Sequence, residues 1–78
     1  MDSKNVLITG SGSGLGRGMA IRLASEGHNI ILNGRTESKL VDTNQMLKNY
    51  NVKTMIKTGD VSDSEFVETM IKDIISEF

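Results

Sequence analysis

Apolar residues fall into two rhythms along this chain. Short runs, Asn5-Val6-Leu7-Ile8-Thr9, Asn29-Ile30-Ile31-Leu32 and Val52-Lys53-Thr54-Met55-Ile56, alternate with longer stretches whose apolar positions recur at helical spacing. The first two runs are continuously apolar and β-branched, which suits strands buried on both faces of a parallel sheet, while the third alternates as an edge strand does. Each is followed by a turn signal: Gly10, Asn33-Gly34 and Thr58-Gly59.

Leu15, Met19, Ala20, Leu23 and Ala24 predict one apolar stripe on a first helix stopped by Gly27. Residues from about Thr36 to Tyr50 predict a weaker helix carrying Leu40, Val41 and Leu47. Ser62-Asp63-Ser64-Glu65 reads as a capping box, Ser62 capping the first turn and Glu65 reaching back. The stripe Phe66, Val67, Met70, Ile71, Ile74, Ile75 and Phe78 follows it. Strand and helix alternating in this way predict an α/β fold: a partial, doubly wound parallel sheet, β-α-β-α-β-α, with strand order 3-2-1. Right-handed crossovers put the first two helices on one face and the third toward the other. The pattern stops at Phe78, short of a fourth strand, so the first strand is expected to keep an open edge.

With 78 residues and no linker, one unit spanning 1–78 is expected. A domain this small buries only about 60% of its unfolded surface, so its stability margin is thin. Without cysteine there is neither a disulfide framework nor a thiolate metal site. A net charge of -1 gives no argument for nucleic acid or an anionic membrane, and no apolar run approaches a membrane span. Met1-Asp2-Ser3-Lys4 leads directly into the first apolar run without a cleavage-site pattern, which makes the cytoplasm the default compartment.

The candidate chemistry lies in Thr9-Gly10-Ser11-Gly12-Ser13-Gly14-Leu15-Gly16, between a buried strand pattern and an amphipathic helix. Gly10 lets the strand turn tightly, Gly14 lets a diphosphate approach the backbone, and Gly16 lets the helix lie close to the sheet. The helix N-terminus adds unsatisfied donors and partial positive charge aimed at an anion. A flexible Gly/Ser connector is the plain alternative. A Walker A loop is excluded for want of Gly-Lys-Ser/Thr, and the Gly10-x-Gly12 spacing would need a small residue where Leu15 stands.

The spacing is instead Thr-Gly-x-x-x-Gly-x-Gly, through Gly10, Gly14 and Gly16, and it resembles the short-chain dehydrogenase/reductase family. The resemblance continues through Ala20, Leu23-Ala24, Gly27, Asn33-Gly34-Arg35 and Gly59-Asp60-Val61. It implies that 1–78 is the N-terminal dinucleotide-binding part of a Rossmann domain. Its cofactor contacts would be Gly10, Gly12, Ser13, Gly14, Leu15, Gly16, Arg35, Asp60 and Val61. After the second strand an NAD enzyme usually places an acid for the adenosine ribose; here the chain reads Asn33-Gly34-Arg35-Thr36, with no acid before Glu37. Arg35 offers a planar fork to a 2′-phosphate. The resemblance therefore implies NADP(H) as the preferred cofactor, with NAD(H) admitted and Thr36 as support. It also implies Asp60-Val61 beneath the adenine. An exposed turn arginine and an ordinary turn acid stand as the alternatives.

Tyr50 is the only tyrosine, and the family's Tyr-x-x-x-Lys pair is not met, since position 54 is Thr54. Tyr50 reads as structural, His28 as a solvated loop residue, and Met19 and Met70 as core filler. Asp63, Glu65, Glu68, Asp73 and Glu77 read as the first turn and outward face of the last helix, and Arg17 has no assignment. No metal constellation is seen. The family's serine, tyrosine, lysine and asparagine, and its Asn-Asn-Ala-Gly segment, are not met in these 78 residues. The parent reading is thus an NADP-dependent oxidoreductase interconverting an alcohol and a carbonyl, of which this chain binds cofactor and is itself inactive. A non-catalytic dinucleotide module and an inactive fragment remain as alternatives, and self-association of an intact protein is left open.

Overall fold

A computed structural model of the protein describes residues 3–78. Met1-Asp2, part of the N-terminal stretch read for targeting, lies outside the described residues. The elements are β1 (Asn5–Ile8), α1 (Gly14–Ser25), β2 (Asn29–Gly34), α2 (Glu37–Leu47), β3 (Thr54–Thr58) and α3 (Ser64–Glu77). The strands are all parallel and lie in the order β1-β2-β3, so β2 is central. No helix among the described residues is long and apolar enough to cross a membrane.

Alternation and register divide the sheet into two faces. Ile8 pairs with Leu32 and Leu32 with Ile56, and Val6 pairs with Ile30. Ile8, Ile30 and Leu32 form the main core with Ala20 and Ala24 of α1 and Leu40 and Leu47 of α2, while Val6, Tyr50, Val52 and Ile56 pack against it. Each buried isoleucine or leucine among them contributes about 1.5–3 kcal/mol. The two helices therefore share one face. Met55 and Lys57 point from the other, where Lys57 Nζ lies 2.6 Å from Asp73 Oδ2 of α3. That contact puts α3 across the sheet, and the buried Ile31 and Met70 lie outside the main core cluster. β1 pairs with β2 alone among the described residues, and Leu7 is partly exposed.

Several expectations are corrected here. Leu15 is 83% exposed and Met19 49%, so neither belongs to the core. They lie roughly 100–140° around the helix from Ala20 at 100° per residue, and the face that packs carries Gly16, Arg17, Ala20, Leu23 and Ala24. Val41 is exposed for the same reason, its place in the α2 stripe taken by the buried Thr43. On α3, Ile71 and Ile75 are also exposed, and Asp73 turns to Lys57 instead of outward.

The third strand begins two residues later than expected. The Val52 N–H donates to Tyr50 O at 3.0 Å, a tight turn, and the ladder starts where Ile30 N–H donates to Lys53 O. The α3 cap is Asp63 instead of Ser62, its carboxylate accepting from Glu65 and Phe66 N–H at 3.0 and 3.3 Å. Ser62 N–H is already used by Asp60 Oδ1, at 2.9 Å. His28 is only 7% exposed, and its Nδ1 accepts from Lys4 N–H at 3.1 Å. It joins the turn after α1 to the start of β1 and is no solvated loop residue.

Candidate functional site

All three strands point their C-terminal ends at one groove, the place where open α/β sheets bind ligands. The groove has two parts that share Gly10, Gly34 and Arg35. A smaller cleft of about 190 Å³ runs between the glycine-rich turn and the start of α2, reached by Gly12, Ser13, Thr36 and Lys39. A larger one of about 470 Å³ runs between the ends of β2 and β3, bounded by Asn33, Gly59, Asp60 and Val61.

The turn after β1 is built to present backbone. Gly10 has φ +63° and Gly14 φ +58°, values that disfavour side chains, and the space where either Cβ would stand is open to 4 Å. Gly16 is demanded by a close approach: a Cβ there would stand 2.2 Å from Gly10 O. α1 is thus pressed onto the turn, whose Gly10, Gly12 and Ser13 line the smaller cleft. Ser13 occupies the cap position, yet its side chain caps no amide. Among the described residues, the N–H groups of Gly14, Leu15 and Gly16 have no hydrogen-bond acceptor. Donors without acceptors at the positive end of a helix fit an anion.

The corner after β2 supplies cations. The Arg35 side chain is 80% exposed and its Nη1 lies 3.7 Å from Asp60 Oδ2, so two residues read separately from the sequence face one another across the larger cleft. Asp60 is held below the ordinary carboxylate range, first by the Ser62 backbone N–H, then by the Ser62 hydroxyl, and more weakly by Arg35. Thr36 caps α2 without using its hydroxyl on the backbone. Glu37, the acid nearest to Arg35 in the sequence, turns aside to accept from Thr58 Oγ1 at 3.4 Å and lines neither cleft.

Six of the nine candidate contacts, Gly10, Gly12, Ser13, Arg35, Asp60 and Val61, line these two clefts. Gly14 and Leu15 line a third, apolar hollow of about 480 Å³ on the outer side of α1, and Gly16 is enclosed against Gly10. Lys39 was missed. It stands in the first turn of α2 and lines the smaller cleft together with Arg35. Tyr50 packs against the core, away from the groove.

The family model for short chain dehydrogenases matches residues 4–78. The chain is similar to a diacetyl reductase of Staphylococcus epidermidis, 37% identical over 76 residues, covering 97% of this chain and 30% of that protein. Among solved structures it resembles L-sorbose reductase from Gluconobacter frateurii complexed with NADPH and L-sorbose. That likeness has a TM-score of 0.91 and 31% identity, covering 99% of this chain and 30% of that one. It also resembles an NAD+-bound xylitol dehydrogenase, with a TM-score of 0.89 and 25% identity over 96% of this chain and 28% of the other. The chain thus spans about 30% of the length of the relatives it matches.

Proposed function

The chain belongs to the short-chain dehydrogenase/reductase family, and on that premise we propose that residues 1–78 act as a dinucleotide-binding unit that takes NADP(H) in preference to NAD(H). One juxtaposition carries this reading: the glycine-rich turn, through Gly10, Gly12 and Ser13, and the cations Arg35 and Lys39 line one cleft, and the acceptor-free amides of α1 follow directly on that turn. The amides of Gly14, Leu15 and Gly16 would take the diphosphate. Arg35, Lys39 and the free Thr36 hydroxyl would take the 2′-phosphate, and Asp60 with the Val61 backbone would border the adenine in the larger cleft. The NADPH of the sorbose reductase structure supports the preference, and the NAD+ of the xylitol dehydrogenase keeps the second cofactor admissible.

Within the parent activity, interconversion of an alcohol and a carbonyl, the bound cofactor would supply or accept the hydride at its nicotinamide ring. This chain's own groups bind and orient it. The groove offers amides, cations and a carboxylate already engaged by Ser62, groups that bind and orient a ligand. The purified chain is therefore expected to bind cofactor without turning over a ketone.

Calorimetry with NADPH and NADH, on the chain and on Arg35→Ala, tests the reading. An exposed arginine fork on a phosphate is worth about 1.4 kcal/mol, a tenfold change in affinity. The expected result is about tenfold weaker NADPH binding by Arg35→Ala with NADH unchanged. Equal NADPH affinity in both proteins would remove Arg35 from the site, and NADH binding as tightly as NADPH would remove the preference.

A further inference from the structure

Arg17 stands in the first turn of α1, where a cation meets the helix's own partial positive charge, so its placement calls for a cause. It is turned away from the groove and spent on the protein. Its Nη2 donates to Gly12 O at 2.6 Å and to Lys39 O at 3.2 Å, and its Nε donates to Thr43 Oγ1 at 2.8 Å. One guanidinium therefore ties the glycine-rich turn to two positions of α2.

The tie continues inward. Thr43, fully buried, donates from its hydroxyl to Ser11 O at 2.9 Å. Ser11, also fully buried, exchanges hydrogen bonds with the backbone of Asn33, as donor to its O at 3.1 Å and acceptor from its N–H at 3.0 Å. The Asn33 amide then donates to Lys57 O at 2.9 Å. The turn and α2 also touch directly, since a Cβ at Gly12 would stand 2.9 Å from Lys39 Cβ.

Resting on the function proposed above, we propose that Arg17 is a positioning residue. Its fork fixes the distance between the diphosphate amides of the turn and the 2′-phosphate cations at the head of α2. A dinucleotide must reach both at once, so an error in their spacing weakens the bridging ligand while sparing ligands that use one end. A direct phosphate contact would behave otherwise, because lysine would preserve its charge.

The test compares the chain with Arg17→Lys and Arg17→Met, all confirmed folded by thermal melts, against NADPH, adenosine 2′-monophosphate and inorganic pyrophosphate. Both variants are expected to bind NADPH about tenfold more weakly, the effective-concentration advantage of the second end being lost. Each single-end probe should bind within about twofold of the parent, less than a 0.5 kcal/mol change. Full retention by Arg17→Lys, or single-end probes weakened as much as NADPH, would overturn the proposal. Hydrogen exchange gives a readout that needs no ligand: the buried Ser11 N–H, bonded to Asn33 O at 3.0 Å, should exchange faster in both variants. A parent chain that binds no dinucleotide, with Ser11 exchange still accelerated, would refute the function and support the clamp. Unchanged exchange would refute the clamp whatever binds.

Discussion

Replacing Gly16 by alanine is the sharpest probe of how the turn is made. The new Cβ would stand 2.2 Å from Gly10 O, 2.8 Å from Gly10 C and 3.0 Å from Ser11 Cα. All three are backbone atoms, so no rotamer relieves the clash; either α1 withdraws from the sheet or the turn opens. Overpacking usually costs about 1–3 kcal/mol, and immovable neighbours place this case near about 3. The better helix propensity of alanine returns about 0.5–1 kcal/mol, leaving a net loss of about 2. At about 4–8 °C per kcal/mol for a domain of this size, Tm should fall by about 8–16 °C. Gly18 supplies the control, two residues along the same helix with nothing within 4 Å of its Cβ position. There the propensity term acts alone, and Gly18→Ala should raise Tm by about 2–8 °C. Far-UV circular dichroism melts of the three proteins decide it. Gly16→Ala melting at or above the parent would refute the close-approach argument. A fall in Gly18→Ala as large as that in Gly16→Ala would show that alanine on α1, not the turn, is at fault.

Two further expectations follow from the same structure. Met70, 2% exposed, should cost about 2–5 kcal/mol when cut to alanine, whereas Met19→Lys, at a half-exposed site, should stay within about 0.5 kcal/mol of the parent in urea denaturation; equal losses would contradict the placement of the two methionines. Asp60 has a depressed carboxyl pKa, so its contribution to stability is present above the ordinary carboxylate value and is lost as pH falls through the folded value. An NMR titration should find Asp60 below the unfolded reference and closer to it in Ser62→Ala, and an Asp60 that titrates at the reference in the parent chain would remove that linkage.

Why some of this was legible in the sequence, and some was not, has a physical basis. The β-α alternation is periodic, and Gly10 and Gly16 are placed by backbone demands that only glycine meets, so both could be read from spacing. The phase of a helix stripe is different. Leu15 and Met19 fit a helical period equally well whether they face the core or flank it, and only the docking of α1 by Gly16 and Ala20 decides. The Asp63 cap was hidden because Ser62 is an equally good cap until Asp60 engages its N–H. His28, Thr43, Ser11 and Asn33 were hidden for a stronger reason. Each is polar, and each is buried by partners 22 to 32 residues away, a pairing that no local pattern announces.

That buried network also bears on why the corner after β2 carries arginine and not an acid. A carboxylate that served ribose hydroxyls would have to stand at the end of β2. At position 33 the side-chain amide is committed as a donor to Lys57 O and Gly59 O, at 2.9 and 3.3 Å. An acid there would set acceptor against two acceptors in a site 2% exposed, where unsatisfied polar groups are costly. At position 34 any side chain meets Leu40, whose Cδ2 would lie 3.2 Å from the Cβ. At position 35 an acid would face Asp60, the present ion-pair partner at 3.7 Å, and like charges at that distance repel. A cation at 35 meets the Asp60 carboxylate at 3.7 Å, and on the proposed function it would turn to a phosphate when one is bound. The charge of the corner is therefore tied to the donors of Asn33 and the carboxylate of Asp60, and the neighbourhood, not one residue, disfavours an acid there.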